Sequence, residues 1–265
     1  MRPDSEWNAA MPEVYDECLG PALFAPYASL VAAAAARQAP ARVLELAAGT
    51  GILTTELLAA LPAAEIIATD LNPAMVARGA ARVPGPVWRQ ADAQQLDLPD
   101  GCVDLVACQF GVMFFPDKPA AFAETARVLR PGGSALFTSW DAVETSDLPA
   151  ALVAGLRAVL PDDPPRFVER VPHGYFDPER ITADLRAGGL VGIEVERVVL
   201  HGRGESAAEL ARGFCLGTPL RFELQQRGSL PDLTRQLAAE LTSLLGPGAV
   251  SGRLTALLVT ARAPD

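Results

Sequence analysis

The stretch Val43–Leu57, "VLELAAGTGILTTEL", decides the fold. Apolar residues lead into a loop with glycines at Gly49 and Gly51, and a helical pattern follows at once. A strand that passes through a glycine turn directly into a helix brings backbone N–H groups close to a ligand. One acid, Glu45, stands just ahead of the glycines.

The alternation continues outward from this unit. Strand-like runs recur at "EIIATD" (65–70), "VWRQ" (87–90), "VDLVACQF" (103–110) and "SALFTSW" (134–140), with helical stretches between most of them. "NPAMVARGAARV" opens with Asn72 as N-cap and Pro73 in the first helical position. "AAFAETARVLRPGG" places Phe122, Ala126 and Leu129 on one face and halts at Gly132-Gly133. Such regularity predicts a parallel sheet with helices on both faces.

The flanks have a different character. Residues 1–40 read as a helical flap carrying Trp7, Tyr15, Phe24 and Tyr27, interrupted at Gly20-Pro21 and Pro26. After the sheet-forming region come a helix at "LPAALVAGLRAVL" (148–160), a loop, and a helix capped by Asp177-Pro178. "GIEVERVVL" (192–200) and "RLTALLVTARA" (253–263) read as the last strands. Between them, about 203–250, lies an insertion with two helices. Its first opens on a capping box, Ser206 to Glu209, and its second carries Leu233, Leu237, Leu241 and Leu244 on one stripe. The expected fold is therefore α/β and Rossmann-like. Its seven-stranded, mostly parallel sheet has an antiparallel last strand, with an N-terminal flap (1–40) and an insertion between strands six and seven of the main domain (41–265).

Composition narrows the function. A net charge of −10 argues against nucleic acid as a partner, because phosphate binding requires a basic face. Four cysteines without a C-x-x-C pair predict neither a disulfide framework nor a zinc site. The start, "MRPDSEWN", lacks the pattern of a signal peptide. The longest apolar stretch, "LVAAAAA" from Leu30, is too short to span a bilayer. These features predict a cytoplasmic protein with no membrane partner.

Three ligand classes use a glycine loop between the first strand and its helix. A P-loop requires a lysine that this loop lacks. A dinucleotide site requires a third glycine, and Thr54 stands there, although Asp70 suits a ribose hydroxyl. Glu45 decides against a pyrophosphate, which its carboxylate would repel. It suits a ligand bearing an ammonium group, such as S-adenosylmethionine.

With "VLELAAGTG", "ATDLNPAMV", "RQADAQQLDLPDGCVDLVACQFGVMFFPD" and "ARVLRPGGSALFTSW" in that order, the chain resembles the class I S-adenosylmethionine-dependent methyltransferases. Over roughly residues 12–140 it is similar to the small-molecule branch represented by ubiquinone/menaquinone-biosynthesis methyltransferases. The resemblance implies that Glu45 approaches the methionine ammonium and that Ala47, Gly49 and Gly51 form the loop beneath the methionine part. It implies that Asp70 accepts bonds from both ribose hydroxyls, that Leu71 and Met75 line the adenine face, and that Asp92 and the Ala93 N–H read the adenine edge. Gln109 falls near the methionine or the acceptor, and Tyr15 and Phe24 close over the cofactor. Ala47 replaces the family's usual first glycine, which is tolerable where φ stays negative.

Plainer readings stand beside these. The glycines could make only a tight turn, and Asp70 could only cap a helix, although Asn72-Pro73 already fills that role. His173, in "VPHGYFDP", is the general-base candidate, and its plain reading is a loop histidine bonded to backbone. An apolar acceptor wall is expected from Phe214, Leu216, Leu220 and Phe222, with His173, Tyr175 and Arg221 as orienting groups. Metal-independent methylation of O, N, C or S on a small-molecule acceptor is the expected reaction. Gln109 stands where the metal-dependent catechol enzymes of similar fold carry a metal-binding Asp. Non-methylating, cyclase-like catalysis or a cofactor-binding regulatory role is the alternative, and a homodimer is left open.

Overall fold

The computed structural model describes residues 11–265, so Trp7 and the start of the flap lie outside the described residues. The chain forms two compact units. One comprises Tyr27–Trp140, Tyr175–Val198 and Ala256–Asp265; the other comprises the residues up to Pro26, Asp141–Gly174 and Val199–Thr255.

The chain opens with α1 (Met11–Val14), a π-helical stretch (Tyr15–Phe24) and α2 (Ala25–Ala36), which run on as one helix. The break expected at Gly20-Pro21 is absent for a physical reason. Proline has no N–H to donate and clashes with an α-helical turn, and the wider π turn accommodates it. The Ala25 N–H accordingly donates to Gly20 O, five residues back. The continuous helix, Met11–Ala36, is long and apolar enough to cross a membrane by length and composition alone. The "LVAAAAA" run is thus part of a longer helix than the run itself. Leu19, Ala22, Leu23, Tyr27, Ala28 and Val31 of this helix are buried within the fold.

The sheet unit then alternates as expected: β1 (Arg42–Glu45), α3 (Ile52–Ala60), β2 (Glu65–Asp70), α4 (Pro73–Arg82), β3 (Val87–Gln90), β4 (Val103–Gln109), α5 (Lys118–Val128) and β5 (Leu129–Trp140). Asn72 Oδ1 caps α4 by accepting the Ala74 N–H at 2.8 Å. Asp117 caps α5 by accepting from the Ala120 N–H at 3.0 Å. Both helices carry proline in their first turn, where the missing N–H costs nothing. Strands β2 and β4 flank β1 in parallel register, with Glu45 opposite Ala68 on one side and Ala107 on the other. Val43, Leu44, Ile66, Ile67, Leu105 and Val106 are all buried, as parallel strands covered on both faces require.

Beyond β5 lie α6 (Asp147–Val159), the short α7 (Phe167–Arg170), α8 (Pro178–Ala187) and β6 (Val191–Gly204). The insertion holds three helices instead of two: α9 (Ala207–Gly217), α10 (Leu220–Gln225) and α11 (Leu230–Leu245), followed by β7 (Val250–Arg262). Thr218-Pro219 separates α9 from α10, and Thr218 Oγ1 donates to Phe214 O at 2.6 Å. Ser206 Oγ caps α9 through the Glu209 N–H at 3.1 Å. Leu233, Leu237 and Leu241 of the stripe are buried, whereas Leu244 is exposed. Strand order is β3-β2-β1-β4-β5-β7-β6, with β7 antiparallel to β5. The seven-stranded α/β architecture agrees with the reading of the sequence.

Candidate cofactor site

In a parallel sheet, ligands bind beyond the carboxyl ends of the strands. Glu45 closes β1, Asp70 closes β2 and Gln109 closes β4. Asp92 and Ala93 follow just after β3. Ten of the twelve cofactor residues read from the sequence thus gather at one edge of the sheet unit. Tyr15 and Phe24 belong to the other unit, where their rings stack with centroids 4.9 Å apart.

Glu45 is fully buried. Thr54 Oγ1, from the first turns of α3, donates to its Oε2 at 2.7 Å. Burial, with a smaller contribution from the charge of Asp70, raises the carboxyl from 4.5 to about 8, and the Thr54 bond acts against that shift. A buried carboxylate of this kind is short of positive charge. A ligand ammonium would supply it.

Asp70 shapes the loop itself. Its Oδ2 accepts the Gly49 N–H at 2.9 Å and its Oδ1 accepts the Asn72 N–H at 2.8 Å. Burial raises this carboxyl too, against the pull of those two bonds. Each carboxylate oxygen has a further lone pair, so the acid can organise the loop and still accept from a diol. Helix capping falls to Asn72, as the N–H of Ala74 shows.

The glycines divide their work. Gly49 has φ +56° and nothing within 4 Å of where a Cβ would stand, so its open side is available to a ligand. Gly51 has φ +87°, but its Cβ side is filled: a Cβ there would lie 2.9 Å from Val83 Cγ2 and 3.1 Å from the Trp88 ring. Gly51 therefore serves the turn into α3 and close packing, not an open face towards the methionine part. Ala47 departs from expectation as well. Its φ is +51°, in the left-handed region, instead of negative.

Around the adenine side, Met75 is buried and Leu71 is exposed. Asp92 Oδ1 accepts both the backbone N–H of Gln94 at 2.9 Å and its side-chain Nε2 at 3.1 Å. Gln94 Oε1 in turn accepts the Asp117 N–H at 2.9 Å, tying this loop to the start of α5. Gln109 is followed by Phe110, also left-handed at φ +55°. The Phe110 ring lies flat on Trp140 with centroids 3.7 Å apart, and Tyr27 meets both rings edge-on.

The residues read as acceptor contacts separate between the two units. Tyr175, in the sheet unit, is buried and its hydroxyl donates to Asp184 Oδ2 at 2.9 Å. Lys118 Nζ lies 4.7 Å from its ring centroid. In the other unit, His173 is buried with Nδ1 2.7 Å from Asp141 O, the backbone bond of the plain reading. A carbonyl only accepts, so Nδ1 carries the proton. Burial lowers this imidazole from 6.5 to about 4, leaving it neutral and a weak base near pH 7. Phe214 and Leu220 are buried, and the Arg221 guanidinium stands 6.0 Å from the Phe222 ring centroid. Sequence reading missed Thr54 as the partner of Glu45. The missing third glycine was the signal, since a side chain that replaces it at the start of α3 faces the end of β1.

A methyltransferase-domain family model matches residues 44–137, from the core of β1 into β5. The malonyl-[acyl-carrier protein] O-methyltransferase of Methylococcus capsulatus is 30% identical over 209 residues, 77% of this chain and 67% of that protein. The demethylmenaquinone methyltransferase of Thermus thermophilus is 43% identical over 103 residues, 37% of this chain and 47% of that protein. Among solved structures, the YcgJ protein of Bacillus subtilis superposes with a TM-score of 0.56 at 20% identity, covering 89% of this chain and 99% of its own; this likeness shows the fold. The chain belongs to the S-adenosylmethionine-dependent methyltransferases, and its cofactor is S-adenosylmethionine.

Proposed function

We propose that this enzyme transfers the cofactor methyl group to O, N, C or S of a small-molecule acceptor without a metal ion, in the cytoplasm. The carrying observation is the pair of acids at the strand ends, a buried Glu45 beside a loop whose Gly49 faces open space and is anchored by Asp70. This donor set fits the cofactor: a carboxylate for its ammonium and a second for its ribose. When bound, S-adenosylmethionine supplies a methyl on a sulfonium, already activated for attack. The residues then have to align the acceptor, and holding two reactants in attack geometry can lower a barrier by about 7–11 kcal/mol.

Metal independence is supported by the chemistry at β4, where an amide, Gln109, occupies the strand end. Among the described residues no three His, Cys, Asp or Glu side chains converge on one point. The names of the relatives point to quinone precursors and carboxyl groups as the first acceptors to try.

The test is incubation with methyl-labelled cofactor and a panel of such acceptors, read by mass spectrometry with and without EDTA. The expected result is a labelled product, formed with S-adenosylhomocysteine and unaffected by the chelator. Binding of cofactor with no label passed to any acceptor would favour the non-methylating alternative. Activity lost to EDTA and restored by magnesium would refute the metal-free reaction.

A further inference from the structure

Two left-handed residues that are not glycine, Ala47 and Phe110, lie in the turns that follow β1 and β4. A Cβ in that conformation crowds the following carbonyl, so such a residue persists only where its surroundings hold it. Ala47 is held from both sides. The Leu46 N–H donates to Ala107 O on β4 at 2.8 Å, and the Ala48 N–H donates to Thr69 O on β2 at 2.8 Å. Across Ala47 the chain thus changes its partner from one flanking strand to the other. Two residues later the Gly49 N–H reaches Asp70.

The Ala47 methyl needs room on the β4 side, and Gly111 provides it. A Cβ built on Gly111 would lie 2.5 Å from Ala47 Cβ and 2.7 Å from Cys108 Sγ. Gly111 has an ordinary φ of −101°, open to any residue. Backbone freedom therefore does not explain glycine at this position, and space does. Its own place is fixed by Phe110, whose ring is stacked on Trp140 and whose N–H donates to Thr138 Oγ1 at 3.0 Å.

We propose that Gly111 is a positioning residue of the cofactor site: its missing side chain admits the Ala47 methyl and so permits the left-handed turn that sets Gly49 against Asp70. The proposal rests on the cofactor reading above. The two turns form one unit, and an alanine is allowed at only one of the two positions.

The test compares S-adenosylhomocysteine affinity by calorimetry in a Cys108→Ala background, which removes the sulfur contact. Adding Gly111→Ala should weaken binding at least tenfold. Adding it together with Ala47→Gly should restore affinity to within about threefold of the background, because the opposing methyl is gone. A merely structural role for Gly111 would not give rescue of affinity by a change in the other loop. Equal losses with and without Ala47→Gly would overturn the proposal, as would unchanged affinity in Cys108→Ala/Gly111→Ala. If that variant does not fold, the triple variant must both fold and bind, and its failure to do either also overturns it. Absence of binding by the wild type and the Cys108→Ala background would count instead against the cofactor reading, and rescue of the melting temperature would then decide the contact between the turns.

Discussion

At the scale of residues, Glu45 makes the sharpest prediction. Its carboxyl is raised from 4.5 to about 8 by burial. A folded state that holds a proton more tightly than the unfolded chain loses that advantage as the proton leaves. The contribution is complete below about pH 4.5 and is lost as pH rises through about 8. Ammonium binding works in the opposite direction, since it requires the ionised acid. We therefore expect S-adenosylhomocysteine affinity to increase between pH 6 and pH 8, with proton release on binding. Glu45→Gln should weaken binding and flatten this slope. Calorimetry in two buffers of different ionisation enthalpy measures both, and an unchanged slope in the variant would show that another group titrates. The type and order of Glu45, Gly49, Asp70 and Asp92 were legible in the sequence because each suits a narrow chemistry. Thr54, Gly111 and the left-handed φ of Ala47 were not, because each depends on what a distant strand places opposite it.

At the scale of elements, the loop from β1 into α3 is supported from below by Trp88 of β3. Trp88 Nε1 donates to Val83 O at 3.1 Å, which holds the indole against both Gly51 and Gly79. Gly51→Ala should therefore destabilise the fold by about 1–3 kcal/mol through overpacking, added to roughly 1–2 kcal/mol for a Cβ in the left-handed region. Gly49→Ala meets no neighbour and should cost only the second amount while reducing cofactor affinity. Urea denaturation and calorimetry on the two variants separate these effects; equal stability losses would contradict the division of roles. Element reading from sequence succeeded where local signals act alone, as at Asn72-Pro73 and Ser206–Glu209. It failed at Gly20-Pro21, because a π turn accommodates a proline that would stop an α-helix. It also merged α10 into its neighbours, since Thr218-Pro219 gives a short bend instead of a long loop.

At the scale of the whole chain, the order β3-β2-β1-β4-β5-β7-β6 follows from the alternation of strands and helices and from the late insertion of β7 beside β5. The seven-stranded, mostly parallel sheet with its antiparallel last strand was legible from that alternation; the order of the strands was not read from the sequence, although right-handed crossovers leave few arrangements for parallel strands. The acceptor was not legible, because it depends on side chains from segments far apart in sequence. Tyr175 illustrates this: a residue in the expected pocket segment has its hydroxyl committed to Asp184. The central claim is that the β1 turn and the acids at the strand ends select S-adenosylmethionine over phosphate-bearing nucleotides. The most direct test is thermal unfolding of wild type and Asp70→Ala with S-adenosylhomocysteine, NAD, FAD or ATP. At a hundred times its dissociation constant a ligand adds about 2.7 kcal/mol, a shift of several degrees for a chain of this size. We predict that shift with S-adenosylhomocysteine alone, and its loss in Asp70→Ala at the same concentration. A shift with NAD and none with S-adenosylhomocysteine would contradict the account.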